Sequence, residues 1–73
     1  MRMIERNDLR VGYLISYIIP GATMVLHGEI LHLGLGLASR NAIWLRCFNG
    51  YNRGKVECVL LEYVTGVTSY ASR

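Results

Sequence analysis

The segments AIWLRCF (42–48), NGYNRG (49–54) and KVECVLL (55–61) have the composition of strand, turn and strand. β-Branched, aromatic and aliphatic residues fill the two outer segments, and glycine and asparagine dominate the middle one. A turn centred on residues 52–53 predicts a hairpin in which Cys47 faces Cys58 and Leu45 faces Leu60. In this register one face of the hairpin is continuously apolar, which is the pattern of a buried face. We expect both cysteines to be buried thiols, because flat cross-strand cysteine pairs reach disulfide geometry only with strain.

Three further short runs outside the hairpin have strand composition. They cover residues 11–19, 24–33 and 63–67, and Pro20-Gly21 separates the first two as a turn. Gly28 lies inside the second run, where it predicts a bulge or a bend. Helical periodicity extends nowhere beyond about three turns. The sequence therefore predicts an all-β fold, a single small five-stranded barrel over residues 11–67, with a short polar N-terminal arm (1–10) and a C-terminal tail (68–73).

Composition narrows the class of function. The chain has 73 residues, of which 52% are hydrophobic and 18% charged, with a net charge of +3. This balance is the reverse of that of disordered chains. A chain this short must use most of its residues to build a core, so we expect no enzyme and no small-molecule substrate. No residue set has the spacing of a catalytic site, a metal site or a cofactor site, and we predict none of the three.

Two features of the sequence bear on the cellular location: the cysteines indicate the redox state of the compartment, and the longest uncharged stretch is examined as a membrane span. Cys47 and Cys58 lack a metal-binding spacing, and no signal peptide precedes them, which favours a reducing, cytoplasmic location. Residues 11–28 carry no Asp, Glu, Lys or Arg, and their length is marginal for a membrane span. Pro20-Gly21 interrupts that stretch at its centre, so we expect no membrane segment.

Four short segments resemble the small SH3-like β-barrels, including KOW- and Tudor-type modules common in phage and mobile-element proteins. The segments are DLRVGYLI (8–15), HGEIL (27–31), IWLRCFNG (43–50) and LLEYV (60–64). Tyr13 departs from the acidic or polar residue usual after the glycine, and Leu60 departs from a common proline. An Sm-like barrel is the nearest alternative. The resemblance implies a fold, and a fold alone does not imply a function.

The second face of the hairpin carries aromatic and basic residues. Trp44, Arg46 and Phe48 alternate along the third strand, while Tyr51, Arg53 and Lys55 follow at the turn. Aromatic rings interleaved with cations are the surface on which single-stranded nucleic acids stack. Trp, Tyr and Arg also dominate protein–protein hot spots. A third interpretation is plain packing of the aromatic rings with solvated arginines beside them.

Apolar residues outside the predicted core favour a protein partner. They fall in predicted loops or on predicted outer faces: Ile18, Ile19, Leu35, Leu37, Val59 and Leu61. A barrel of this size cannot enclose all of them, and exposed apolar patches commonly mark interaction sites. We therefore expect a non-enzymatic module that binds another protein or a second copy of itself as a homo-oligomer, as a phage-type accessory, inhibitor or structural subunit. The alternative is nucleic-acid binding through the basic-aromatic face. The predicted partner-binding residues are Trp44, Arg46, Phe48, Tyr51, Arg53, Lys55, Leu35, Leu37, Val59 and Leu61.

Overall fold

Five antiparallel β-strands form one sheet in the computed structural model, which describes residues 8–33 and 42–69. The strands are β1 (Leu14–Tyr17), β2 (Leu26–His32), β3 (Ala42–Cys47), β4 (Val56–Leu60) and β5 (Val64–Ser69). Their order across the sheet is β4-β3-β2-β1-β5. Short 3₁₀ turns at Gly50–Asn52 and Leu61–Tyr63 precede β4 and β5. The prediction of an all-β chain with five short strands is confirmed.

The sheet is strongly coiled, but it is not closed into a barrel as predicted. β4 and β5 are its two edges, and the described residues contain no ladder between them. Register irregularities in the β1–β5 and β2–β3 ladders increase the local twist. Coiling brings β1 close to β4, since the Tyr17 hydroxyl donates a hydrogen bond to Glu57 Oε2 at 2.7 Å. Side chains, and not backbone pairing, therefore connect the first strand to this edge of the sheet.

One hydrophobic core fills the inner side of the coiled sheet. Alternate residues of each strand point inward, so every strand contributes to the same core. Leu9, in the segment predicted to be a polar arm, is also completely buried. The buried core residues of the described chain are Leu9, Ile15, Tyr17, Leu26, Ile30, Ile43, Leu45, Cys47, Val59 and Val64.

The β3–β4 hairpin has a different register from the predicted one. Trp44 faces Cys58 and Leu45 faces Glu57, a shift of three positions along β4. An odd shift turns a strand over, so the face of β4 that was predicted to be buried points outward. Cys58 is exposed while Cys47 is buried, and the predicted facing pair of buried thiols is therefore wrong.

The conformation of the hairpin loop explains this shift. The Gly54 N–H donates to the Cys47 carbonyl at 2.6 Å, and the Cys47 N–H donates to the Lys55 carbonyl at 2.9 Å. In this loop, Gly50 and Gly54 have φ angles of 78° and 83°, a backbone conformation that residues other than glycine rarely adopt. The turn is consequently centred on Tyr51, earlier than the predicted centre at residues 52–53.

Gly28 is required for a close approach of two strands and does not form a bulge. It pairs in regular register with Ile15 on one side and Cys47 on the other, and the irregularity in β2 falls between Ile30 and His32. A Cβ atom at Gly28 would lie 2.8 Å from the Arg46 carbonyl oxygen and 2.9 Å from Leu45 Cδ1. Of the two predicted alternatives at Gly28, a bulge or a bend, the bulge is therefore wrong. The close contact with β3 explains why this position is a glycine.

The uncharged stretch 11–28 forms β1, a loop and the start of β2. Among the residues that the structure describes, no helix is long and apolar enough to cross a membrane.

Candidate binding surface

The outer side of the β3–β4 hairpin carries large apolar side chains that remain exposed. Trp44 and Phe48 are each 41% exposed, and Val56 is 51% exposed. Residues that pair directly on neighbouring strands point to the same side of a sheet. Trp44 is opposite Cys58 and Arg46 is opposite Val56, so the row on β3 and the row on β4 are contiguous. We call this surface the outer face; it consists of Trp44, Arg46, Phe48, Val56, Cys58 and Leu60.

Charge on the outer face is low and partly balanced. Arg46 is exposed, and it pairs across the sheet with Glu29 of β2 as well as with Val56 of β4. Opposite charges at directly paired positions attract each other. The acidic residue of β4, Glu57, points away from this surface and toward the core side. The outer face is thus mainly apolar, with one cation that has an acidic neighbour.

Val59 and Leu61, which were predicted to bind a partner from an outer position, do not lie on the outer face. Val59 is only 5% exposed and belongs to the core, so its predicted exposure is wrong. Leu61 is half-buried and packs against the core, which also corrects its predicted outer position. Both errors follow from the register, because the three-residue shift exchanges the two sides of β4. Leu35 and Leu37 lie outside the described residues.

Tyr51, Arg53 and Lys55 are exposed on the β3–β4 loop, outside the two strands of the hairpin. Tyr51 occupies the 3₁₀ turn and is fully exposed. Lys55 directly precedes Val56, the first residue of β4. The structure consequently divides the predicted basic-aromatic surface into two places, the outer face and the loop.

Asn49 fixes the β3–β4 loop against the end of the β1–β2 loop. Its Oδ1 accepts a hydrogen bond from the His27 backbone N–H at 2.8 Å, and its Nδ2 donates to the Val25 carbonyl at 3.1 Å. Gly50 follows directly, where a Cβ atom would lie 2.8 Å from Leu26 Cδ2. The two loops are therefore held together at a fixed distance by one asparagine and one glycine.

A hydrogen-bond network under the loop joins β1, the loop and β4. The Glu57 carboxylate accepts from the Tyr17 hydroxyl at 2.7 Å and from Asn52 Nδ2 at 3.0 Å. Burial, with the contributions of hydrogen bonds to Cys47 and Glu57, raises the pKa of the Tyr17 phenol well above its ordinary value of 10.0. Tyr17 thus remains a neutral donor throughout the physiological range, and it holds the carboxylate that in turn holds Asn52.

Between the two fixed loops lies an apolar groove that the sequence patterns did not indicate. One wall comprises Ile19, residues 21–24 and Leu26, and the other comprises Tyr51 and Asn52; the volume is about 320 Å³. Met24 is 47% exposed at its mouth. The groove is formed by residues from two loops about thirty positions apart, which explains why no local pattern could reveal it. We call it the loop groove.

Within residues 8–33 and 42–69, no three His, Cys, Asp or Glu side chains are grouped so that they could hold a metal ion. The Glu57 carboxylate accepts hydrogen bonds from Tyr17 and from Asn52, and Asn52 lines the loop groove.

Comparisons with protein-family models, with curated proteins and with solved structures give no significant match. The residues and their geometry therefore carry the functional argument.

Proposed function

We propose that this chain is a non-enzymatic, cytoplasmic binding module that docks another protein, or a second copy of itself, through the outer face. We further propose that its fold is an SH3-like variant, as the sequence resemblance implies. The strand order β4-β3-β2-β1-β5 and the 3₁₀ turn before the last strand support this assignment. Cys58, a free exposed thiol, supports a reducing compartment.

The observation that carries the proposal is the contiguous apolar surface at the edge of the sheet. Trp44, Val56 and Leu60 are between 36% and 51% exposed on two paired strands. Exposed apolar side chains scattered singly need no explanation, but contiguous patches usually mark interaction sites. β4 is also an edge strand in the described sheet, so a partner can reach the face from the side as well as from above. Trp44 and Arg46 belong to the residue types that dominate protein–protein hot spots.

A nucleic-acid ligand is the second candidate, and the exposed aromatic and basic residues favour it. Trp44 and Arg46 lie on one surface, and Tyr51, Arg53 and Lys55 lie on the adjoining loop. Stacked bases contribute about 1–3 kcal/mol each on such aromatic platforms. One feature makes this candidate the weaker one. Arg46, the cation of the outer face, has the acidic Glu29 as its cross-strand neighbour.

Native mass spectrometry of the protein purified from its own host, with and without nuclease, distinguishes the two candidates. We expect a homo-oligomer or a complex with another protein that persists after nuclease treatment. The double variant Trp44→Ser/Val56→Ser should lose that complex, since it removes two apolar contacts from the outer face. Val11→Ser is the matched control, because Val11 is 55% exposed and is not part of the outer face.

Three outcomes would refute the docking proposal. The first is a monomer that copurifies with nothing. The second is a complex that nuclease dissolves and that weakens steeply with salt, which is the behaviour of phosphate-contacting proteins. The third is a protein complex that survives Trp44→Ser/Val56→Ser unchanged while the variant retains the wild-type circular dichroism spectrum.

A further inference from the structure

We propose that the loop groove is a second, separate binding site, and that its ligand is an acidic peptide segment carrying one large apolar side chain. This inference does not depend on the outer face, because the two surfaces share no residue. It rests on three features of the groove, namely its preformed walls, its size and lining, and the charge around it.

The walls of the loop groove are held in place without a ligand. Asn49 binds the backbone at Val25 and His27, which ties the two loops together. Asn52, which lines the groove, is held by Glu57 at 3.0 Å. The opposite wall contains a turn closed by a hydrogen bond from the Ala22 N–H to the Ile19 carbonyl at 2.9 Å. A site that is already formed loses less conformational entropy when its ligand binds.

The size and lining of the groove fit an apolar side chain. Its volume of about 320 Å³ is at the lower end of the range of ligand pockets, which fits a side chain or two better than a cofactor. Ile19, Leu26 and Met24 supply apolar wall atoms. Tyr51, which also lines the groove, is fully exposed. Met24 adds a flexible and polarizable surface that adapts to different apolar partners.

The charge near the groove is positive. Residues 11–28 and 47–56, which include both loops, contain no Asp or Glu, and their charged residues are Arg53 and Lys55. Arg53 directly follows Asn52 of the groove wall, and Lys55 lies two residues further along the same loop; both are exposed. Glu57, which accepts a hydrogen bond from Asn52 of the groove wall, also accepts one from Tyr17. Two cations against one bonded carboxylate favour a ligand with negative charge beside its apolar group.

Fluorescence anisotropy with three labelled peptides of equal length tests this proposal. The first peptide places Asp and Glu on both sides of a central Leu; the second replaces that Leu by Ser; the third replaces the acids by Lys and Arg. We expect the first peptide to bind at least tenfold more tightly than either of the others, a difference of about 1.4 kcal/mol. Binding of the first peptide should weaken as salt is added.

Substitutions in and around the loop groove test whether the peptide binds there. Ala22→Trp fills the groove from an exposed position, so the fold should tolerate it while peptide binding falls at least tenfold. Arg53→Glu/Lys55→Glu should produce a similar loss for the acidic peptide and should improve binding of the basic one. Trp44→Ser/Val56→Ser is the matched control on the outer face, and it should bind the acidic peptide as the wild type does.

Each of the following results would overturn the inference. One is that none of the three peptides binds. Another is that the basic peptide, or the peptide without Leu, binds as well as the acidic one. A third is that Ala22→Trp binds the acidic peptide normally. Loss of peptide binding in Trp44→Ser/Val56→Ser would show that the peptide sits on the outer face instead, which contradicts this inference and leaves the proposed docking function standing.

Discussion

Val59→Ala and Val56→Ala form a matched pair that tests the register of the β3–β4 hairpin. Val59 is 5% exposed on the inner side of β4, whereas Val56 is 51% exposed on the outer side. The predicted and the observed registers assign opposite sides to these two valines. The same chemical change is therefore expected to have very different consequences at positions three residues apart.

The magnitude follows from the two carbon atoms that the substitution removes. Each buried methylene contributes about 0.8 kcal/mol, and the cavity that remains adds to this, so Val59→Ala should cost about 2 kcal/mol. Val56→Ala should change the free energy of unfolding by less than about 0.5 kcal/mol, as is usual at an exposed site. In a domain of this size, the loss at Val59 corresponds to a decrease in Tm of about 8–16 °C.

Urea unfolding followed by circular dichroism measures both variants. We expect Val59→Ala to lower the midpoint with an unchanged denaturant slope, which indicates a change in stability alone. The midpoint of Val56→Ala should stay close to that of the wild type. Equal losses at the two positions, or a larger loss at Val56, would refute the observed register and the assignment of the outer face that depends on it.

Three further predictions concern the glycines and the buried tyrosine. Gly28→Ala should destabilise the fold by about 1–3 kcal/mol in urea unfolding, because its Cβ would press on the Arg46 backbone at 2.8 Å; a neutral effect would contradict the close approach of β2 and β3. Gly50→Ala should cost more than Gly54→Ala, since both have positive φ angles but only Gly50 is crowded, by Leu26; thermal melts of the two variants that coincide would disprove this. The raised pKa of Tyr17 means that the unfolded phenol loses its proton above pH 10 while the folded one keeps it, so stability should fall as the pH rises beyond 10, by about 1.4 kcal/mol per pH unit. Tyr17→Phe should abolish this dependence in unfolding measured from pH 8 to 11, and Tyr51→Phe, at a fully exposed position, should retain it.

The sequence allowed the elements of the fold to be predicted better than their arrangement. A strand occurs in each of the five runs of β-branched and aromatic residues, because composition and alternation are local properties, although β5 continues to Ser69, beyond the predicted end at residue 67. The Pro20-Gly21 turn is likewise confirmed, by the hydrogen bond that closes residues 19–22. The prediction that the sheet closes into a barrel was wrong. Closure depends on how strongly the whole sheet coils and on whether its two edge strands pair, and no single segment of the sequence determines either property.

The hairpin register shows why the candidate site was only partly predictable. The predicted register would bury Val56, Cys58 and Leu60, which are all apolar, whereas the observed register turns Glu57 and Val59 of β4 inward. The alternation on β4 therefore favoured the wrong register, and the observed one goes with a loop that contains the 3₁₀ turn at Gly50–Asn52. The inward position of Glu57 could not be predicted from the alternation, because it depends on hydrogen bonds that its carboxylate accepts from Tyr17 and Asn52. Trp44, Arg46 and Phe48 lie on the side of the hairpin to which alternation assigned them, and all three are exposed.

Thiol reactivity at Cys58 is the most direct test of the outer face as a docking surface. Cys58 is exposed at the centre of that surface, directly opposite Trp44, and Cys47 is buried, so the native chain offers one reactive thiol. The measurement compares the rate of maleimide labelling in the complex purified from the host with the rate in the chain freed from its partner. We expect labelling in the complex to be at least tenfold slower, and we expect the labelled free chain to be unable to reassemble. Equal labelling rates in the two states, or reassembly by a chain labelled at Cys58, would contradict the claim that the outer face binds the partner.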